Sequence, residues 1–260
     1  MARLAANISW MYTELPFAER FAAAAAAGFR FVEWGYAFDH SKQELRQLLA
    51  DHSLQLTLIN VPAGDMAAGE LGLAALDGRQ ADARAAFATA LDYAKALRAP
   101  FVHYLAGKPR PGSDPATTDK VFLKNLCEAA DLAASSGITL TLEPLNPVDR
   151  TGYHLMTVEH AVRLIKASER KNIKLQLDVY HQQINGGNII RTIEQNLEFL
   201  AHVQVAGVPG RHEPDVGEIN IAAIISKLDE LGYKGVIGCE YKPLSDTNTG
   251  LAWASRYLGR

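Results

Sequence analysis

The chain has 260 residues, 48% of them hydrophobic and 21% charged, which is the composition of a globular protein with a sizeable core. A formal net charge of -3 at pH 7 gives no electrostatic reason to expect a nucleic acid or an anionic membrane as partner. With two cysteines and no secretory pattern in the first residues, we expect a cytoplasmic protein without a disulfide framework.

Strand-like and helix-like patterns alternate along nearly the entire chain. Short apolar runs predict strands at residues 4–9, 29–34, 54–60, 101–105, 138–142, 173–177, 202–206 and 235–239. Helical periodicity predicts helices at residues 14–27, 41–50, 80–97, 115–135, 157–167, 189–200, 221–231 and 247–257. Thr13 is the expected N-cap of the first helix.

This alternation predicts the fold class. Strands separated by helices pair in parallel through right-handed crossovers. Because there are eight such units, and no Gly-x-Gly-x-x-Gly follows the first strand, we predict an α/β protein with a closed (β/α)8 TIM barrel rather than an open doubly wound sheet. No linker interrupts the pattern, so residues 1–260 are expected to form one domain.

The longest irregular stretch, residues 61–78, contains one proline and four glycines. Loops of this length in a compact domain are uncommon and usually functional or poorly ordered. We therefore expect this segment to form a lid or a wall of the site, with Glu70 as a possible pocket residue.

Polar side chains stand where four of the predicted strands end. They are Glu143, Asp178, Gln204 and Glu240. TIM barrels assemble their chemistry at the carboxyl ends of the strands, so these side chains are predicted to converge. Three carboxylates and an amide oxygen at one point would repel one another without a cation. An oxygen-rich set without a Cys or His cluster favours Mg²⁺ or Mn²⁺ over structural zinc.

Two histidines lie near these strand ends. His181, three residues after Asp178, could hydrogen-bond a substrate oxygen or a water on the metal, or could pair with local backbone instead. His103, close to the end of the fourth strand, is predicted to be a hydrogen-bonded histidine of the barrel, with substrate contact as the second interpretation.

A charged loop follows the strand that carries Gln204. Its residues Arg211 and His212, together with Lys242 after Glu240, could bind a negatively charged substrate, because a guanidinium grips a carboxylate in bidentate fashion. The alternative is a solvated turn. Glu33, at the end of the second strand, could also line the pocket.

Six segments of the chain match a known pattern: Phe-Ala-Glu-Arg-Phe-Ala-Ala-Ala at 17–24, Ala-Gly-Asp-Met-Ala-Ala-Gly-Glu at 63–70, Leu-Asp-Val-Tyr-His at 177–181, Val-Gln-Val-Ala-Gly at 203–207, Arg-His-Glu-Pro-Asp-Val-Gly-Glu-Ile-Asn at 211–220 and Gly-Cys-Glu-Tyr-Lys-Pro at 238–243. With these segments the sequence resembles the xylose-isomerase-like TIM barrels. Within them it resembles the hydroxypyruvate isomerase family, which includes bacterial 2-oxo-tetronate isomerases. The resemblance covers nearly the whole chain.

The resemblance implies an acid/base pair, Glu143 and Glu240, and a divalent metal bound by Glu143, Asp178, Gln204 and Glu240. Related ketose 3-epimerases usually carry histidine where this chain has Gln204, which favours the isomerase branch. The chain departs from the family pattern at Leu71 and Ile221, so the exact substrate stays open.

We therefore expect a metal-dependent isomerase that interconverts hydroxypyruvate and tartronate semialdehyde, or acts on a close hydroxy-oxo acid such as 2-oxo-tetronate. Proton transfer through an enediolate would need a base and a proton donor. A ketose 3-epimerase is the alternative within the same chemistry. An abasic-site endonuclease and a non-catalytic sugar-acid binder are alternatives of other classes, and self-association is possible.

Overall fold

The structure, a computed structural model, describes residues 2–259 and confirms the predicted (β/α)8 barrel. Eight parallel strands pair in chain order, and β1 closes the barrel against β8. The strands are β1 Arg3–Asn7, β2 Phe31–Trp34, β3 Gln55–Asn60, β4 Phe101–His103, β5 Thr139–Leu142, β6 Ile173–Asp178, β7 Leu200–Val205 and β8 Val236–Cys239.

Helices surround the barrel and bury their apolar faces against its outer wall. They are α1 Glu19–Ala26, α2 Lys42–Asp51, α3 Gln80–Leu97, α4 Pro115–Ala134, α5 Val158–Ser168, α6 Val179–Asn185, α7 Ile189–Asn196, α8 Ile221–Glu230 and α9 Ser255–Leu258. None of the helices in residues 2–259 is long and apolar enough to cross a membrane.

The helices differ from the prediction in four places. The helix predicted at 189–200 ends at Asn196, and residue 200 is the first of β7. The first helix begins at Glu19 rather than residue 14, and turns precede it, because Pro16 disfavours helical backbone at the residue before it. Thr13 is therefore not an N-cap. The short helix α6 was not predicted; it starts directly after β6, where Asp178 Oδ1 accepts the backbone N–H of Tyr180. The last predicted helix is a 3-10 helix, Thr249–Ala254, followed by α9.

The barrel has a polar interior and an apolar exterior. Successive side chains of a strand point to opposite faces, so in β7 His202 and Gln204 share one face while Val203 and Val205 share the other. The polar set makes hydrogen bonds across the lumen, as between His202 on β7 and Glu33 on β2. The hydrophobic core therefore lies between the strands and the helices, and the lumen is free to carry polar groups.

The segment 61–78 folds back onto the barrel. Gly72 forms an antiparallel bridge with Ala106, beyond β4, and the backbone N–H of Ala75 donates to the Ala106 carbonyl at 2.7 Å. Glu70 accepts the backbone N–H of Asp65 at 2.7 Å and pairs with Arg79 at 2.6 Å. These contacts hold the segment as a fixed wall beside the barrel mouth.

Two glycines of this wall provide a matched stability test. Both have positive φ, but a Cβ on Gly72 would lie 2.5 Å from the Leu105 carbonyl oxygen, whereas a Cβ on Gly69 would meet nothing within 4 Å. We expect Gly72→Ala to lower the free energy of unfolding by about 1 to 3 kcal/mol more than Gly69→Ala, because overpacking adds to backbone strain. Urea denaturation of both variants measures the difference; equal losses would show that the bridge to Ala106 does not constrain the wall.

Candidate active site

A cavity of about 340 Å³ opens at the carboxyl ends of the strands. Of the residues predicted from sequence, its wall contains Glu143, Glu240, His103, His181, Arg211 and Glu70. Within residues 2–259 the wall includes neither Asp178 nor Gln204, which lie deeper in the barrel. A broader hollow of about 1400 Å³ lies at the opposite end of the barrel, and no carboxylate lines it. The smaller cavity is therefore where the chemistry-bearing side chains meet.

Two predicted anchors lie elsewhere. Neither His212 nor Lys242 belongs to the cavity wall formed within residues 2–259. Lys242 is exposed, and its carbonyl oxygen lies 2.8 Å from His212 Nδ1. The two residues thus join the loops after β7 and β8 to each other. Glu33 is also outside the wall; it is fully buried in the lumen.

Arg211 compensates the charge of the site. Its Nη2 donates to Asp178 Oδ2 at 2.7 Å and to Glu240 Oε1 at 2.8 Å. The guanidinium carbon lies 4.7 Å from the ring centre of Trp10 and 4.9 Å from that of Tyr180, so two aromatic faces hold it. Arg211 therefore binds the protein's own carboxylates at this site, rather than standing free for a ligand.

Burial and mutual repulsion perturb the carboxyl groups. Desolvation, with repulsion from Glu240 and Asp178, raises the pKa of Glu143 well above its usual value. Desolvation raises the pKa of Glu240 to about 8, although the charge of Arg211 opposes the shift. The pKa of Asp178 is raised too, again by desolvation. One guanidinium is thus insufficient to keep three buried carboxyl groups ionised, as expected when like charges crowd together.

Glu143 has one oxygen in use and one available. Its Oε2 lies 3.3 Å from His103 Nδ1, while its buried Oε1 has no hydrogen-bond partner in the described part of the chain. Burial lowers the pKa of His103 to about 3, so this ring is neutral. Because few buried polar atoms are left unpaired in folded proteins, the free Oε1 indicates a ligand-binding or catalytic role.

Hydrogen bonds fix the tautomer of His181. Its Nδ1 accepts the backbone N–H of Asn146 at 3.0 Å, so this nitrogen carries no proton. Burial, reinforced by the charge of Arg211, lowers the pKa of His181 well below its usual value and keeps the ring neutral. The proton is therefore on Nε2, which makes His181 a donor rather than a metal ligand in this arrangement.

Gln204 is held at both ends of its amide. Its Nε2 donates to Glu240 Oε2 and, at 2.7 Å, to Glu33 Oε1. Its oxygen accepts from Gln176 Nε2 at 2.7 Å and keeps a second lone pair. Asn7 makes a parallel bridge, since its Nδ2 donates to Glu33 Oε1 at 3.1 Å and to Glu240 Oε2 at 3.2 Å.

The donor set fits a hard divalent cation. Ligand atoms of Glu143 and Asp178 lie within 4.8 Å of each other, and Glu240 shares Arg211 with Asp178. Carboxylates are the ligands that Mg²⁺ and Mn²⁺ prefer, and three of them lie together here. A cation would also relieve the repulsion that raises these pKa values.

Sequence reasoning missed two cations of the cavity wall, Lys108 and Arg150. Both lie in loops after strands and are half-buried, and neither has a carboxylate partner within 4.0 Å in residues 2–259. Only their position shortly after the ends of β4 and β5 could have indicated them. Unpaired cations over a cavity suit an anionic ligand.

Comparison with known proteins agrees with this geometry. Residues 21–257 match the family model described as xylose isomerase-like TIM barrel. The chain is 44% identical, over all of both chains, to the 2-oxo-tetronate isomerase of Cupriavidus necator. It is 38% identical to the hydroxypyruvate isomerase of Escherichia coli K12, over 99% of this chain and 100% of that one. A solved Brucella melitensis structure, described as an AP endonuclease of family 2, has 43% identity, a TM-score of 0.97 and 99% coverage of both chains.

The fold and the strand-end carboxylates define a barrel of the xylose isomerase type. The chain belongs to the xylose isomerase-like TIM barrel family, and within it to the group of hydroxypyruvate and 2-oxo-tetronate isomerases, as the sequence resemblance indicated.

The raised pKa of Glu240 predicts a pH effect on the stability of metal-free protein. Because the folded-state pKa is about 8 and the ordinary value is 4.5, the folded protein keeps a proton that the unfolded chain releases. Stability should therefore fall as pH rises through this window, by up to about 1.4 kcal/mol per pH unit. Glu240→Gln should flatten the fall in melting temperature measured in chelator.

Glu159→Gln, which changes an exposed residue of α5, is the control and should keep the wild-type slope. An unaltered slope in Glu240→Gln would show that this carboxyl group does not carry the raised pKa.

Proposed function

We propose that the protein is an isomerase that interconverts hydroxypyruvate and tartronate semialdehyde, or the corresponding pair of a close hydroxy-oxo acid such as 2-oxo-tetronate. The observation that carries the proposal is a small cavity whose wall contains Glu143, Glu240 and the cations Lys108 and Arg150, with Asp178 hydrogen-bonded to the same Arg211 as Glu240. The names of the full-length relatives support the same chemistry.

In this reaction the side chains move one proton between adjacent carbons. Glu143 Oε1, which has no hydrogen-bond partner among residues 2–259, takes a proton from the hydroxymethyl carbon, and an enediolate forms. Glu240 returns a proton to the neighbouring carbon, which was the carbonyl carbon, while the hydroxyl proton passes to the other oxygen. The atoms balance, because the product is an isomer. His181 Nε2 donates to a substrate oxygen and steadies the reacting pair.

A divalent metal, Mg²⁺ or Mn²⁺, would be held by Glu143, Asp178 and Glu240, with Gln204 completing the set through its remaining lone pair. When bound, it stabilises the negative charge that develops on the enediolate and orients the substrate. Arg211 remains the second positive group beside Asp178 and Glu240. It limits the repulsion among these carboxylates before substrate arrives.

Lys108 and Arg150 are proposed to bind the substrate carboxylate, in place of His212 and Lys242. They line the cavity, and neither has a carboxylate within 4.0 Å among residues 2–259. Arg150 is close enough to the cavity residue Tyr36 for its charge to act on the pKa of that phenol, which burial raises. A cationic wall distinguishes a hydroxy-oxo acid from a neutral ketose, so it favours the isomerase over the 3-epimerase. A cavity of about 340 Å³ suits a small acid rather than a nucleic acid strand.

The proposal is tested with metal-loaded protein and a panel of three- to six-carbon keto acids and ketoses, with NMR in D₂O to follow deuterium entering the substrate. Turnover of a hydroxy-oxo acid with deuterium incorporation supports the proposal. Turnover of neutral ketoses alone would favour the epimerase, and binding without exchange would favour a sugar-acid binder.

Glu143→Gln should lower kcat about a hundred- to ten-thousandfold, because the amide cannot accept the substrate proton. Steady-state kinetics on the best substrate measure the effect. Glu159→Gln, which changes an exposed carboxylate of α5, should leave kcat at the wild-type level. Near wild-type turnover by Glu143→Gln would exclude this residue as the base.

Removal of either wall cation should act on substrate binding. We expect Lys108→Met and Arg150→Met each to raise the KM for a hydroxy-oxo acid about tenfold or more, because a charged hydrogen bond to the substrate carboxylate is lost. Lys124→Met, which changes an exposed lysine of α4, is the matched control. An unchanged KM in both wall variants would show that neither cation binds the substrate carboxylate.

A further inference from the structure

A second carboxylate system lies inside the barrel, below the cavity. Glu33 is 0% exposed, and its Oε2 lies 2.7 Å from His202 Nε2. Its Oε1 accepts from Gln204 Nε2 at 2.7 Å and from Asn7 Nδ2 at 3.1 Å. His202 is also fully buried, and its Nδ1 has no hydrogen-bond partner among residues 2–259, so its polar contact is directed to Glu33. Burying such a pair is costly and gives little stability in return.

The barrel leaves space for this carboxylate. A Cβ on Gly238, in β8, would lie 2.4 Å from Glu33 Oε1 and 2.6 Å from Glu33 Oε2. Strand interiors disfavour glycine, and a close approach by another group is a usual reason for one. Gly238 also pairs in register with Gln204, so the recess lies next to the amide that Glu33 holds. The recess at Gly238, the Glu33 carboxylate and the amide groups that donate to it are therefore neighbouring parts of one site.

This arrangement connects to the proposed acid/base residue. The two amide groups that donate to Glu33 also donate to Glu240 Oε2: Asn7 Nδ2 at 3.2 Å, and Gln204 Nε2. An ionised carboxylate only accepts hydrogen bonds, whereas an amide has a donor end and an acceptor end. Glu33 therefore draws the NH₂ ends of Asn7 and Gln204 to the side where Glu240 lies. The amide oxygens are held on the other side, by the Ser9 backbone N–H at 3.1 Å and by Gln176 Nε2 at 2.7 Å.

We propose that Glu33 and His202 are a positioning pair: they fix the direction of the Gln204 and Asn7 amides, and through them the orientation of the Glu240 carboxylate. Neither residue touches the substrate. The effect of this pair on the reaction rate rests on the proposed function. The orientation of the two amides does not depend on the reaction.

The kinetic test compares Glu33→Met with Glu33→Gln. Methionine keeps the approximate size of the side chain and removes both acceptors, so kcat should fall about ten- to a hundredfold with KM nearly unchanged, as for other groups that orient a working side chain. Glutamine can turn its oxygen to the two amides and its NH₂ to His202, whose unpaired Nδ1 allows the other tautomer. It should therefore restore most of the lost kcat.

A substrate-independent measurement follows the Gln204 and Asn7 side-chain amides by NMR of protein labelled with ¹⁵N-glutamine and ¹⁵N-asparagine. Slowly exchanging NH₂ signals are expected in the wild type and in Glu33→Gln, and fast exchange in Glu33→Met. Gly238→Ala, which displaces the Glu33 carboxylate and retains the residue, should give the same result as Glu33→Met. It serves as the test variant if Glu33→Met does not fold.

The outcomes separate the two proposals. A wild type with the protected amides but without isomerase turnover would overturn the proposed function and leave the positioning pair standing. Wild-type kcat in folded Glu33→Met or Gly238→Ala, a change in KM alone, or amide exchange that does not respond to these variants would overturn the positioning pair.

Discussion

The structure depends on keeping several carboxyl groups inside a barrel that excludes most water. Desolvation raises the pKa of Glu143, Asp178 and Glu240, and repulsion from Glu240 and Asp178 adds to the shift at Glu143. Arg211, held between two aromatic rings, offsets part of their charge. Its two charged hydrogen bonds reach Asp178 and Glu240 but not Glu143. Because Arg211 binds only two of the three carboxyl groups, Glu143 keeps an oxygen without a hydrogen bond within residues 2–259. The three groups therefore differ in how readily they take up a proton.

Most of the fold follows from the sequence because strand and helix periodicities are local properties. The ends of the helices were predicted less well where a single contact decides them, as at Pro16 or at Asp178, which caps α6. The convergence of Glu143, Asp178 and Glu240 could be predicted, since the carboxyl ends of parallel strands meet at one mouth.

The charges around the substrate could not be predicted in the same way. Arg211 was expected to bind the substrate carboxylate, but its side chain turns inward to the protein's own acids. Lys108 and Arg150 line the cavity from loops that have no periodicity to place them. The sequence also gave no indication that Glu33 contacts His202, because the two residues are 169 positions apart and lie on strands that do not pair.

The polar groups inside the barrel affect how the chain can fold. A fragment ending after β4 would contain Glu33 but lack its partners His202 and Gln204, which come from β7, and would expose an ionic group where water must later be removed. Half of the barrel would therefore leave polar side chains of its interior without their hydrogen-bond partners. Such long-range contacts form slowly and stabilise the chain only when the barrel is closed. We therefore expect that this barrel does not divide into two independently folding halves.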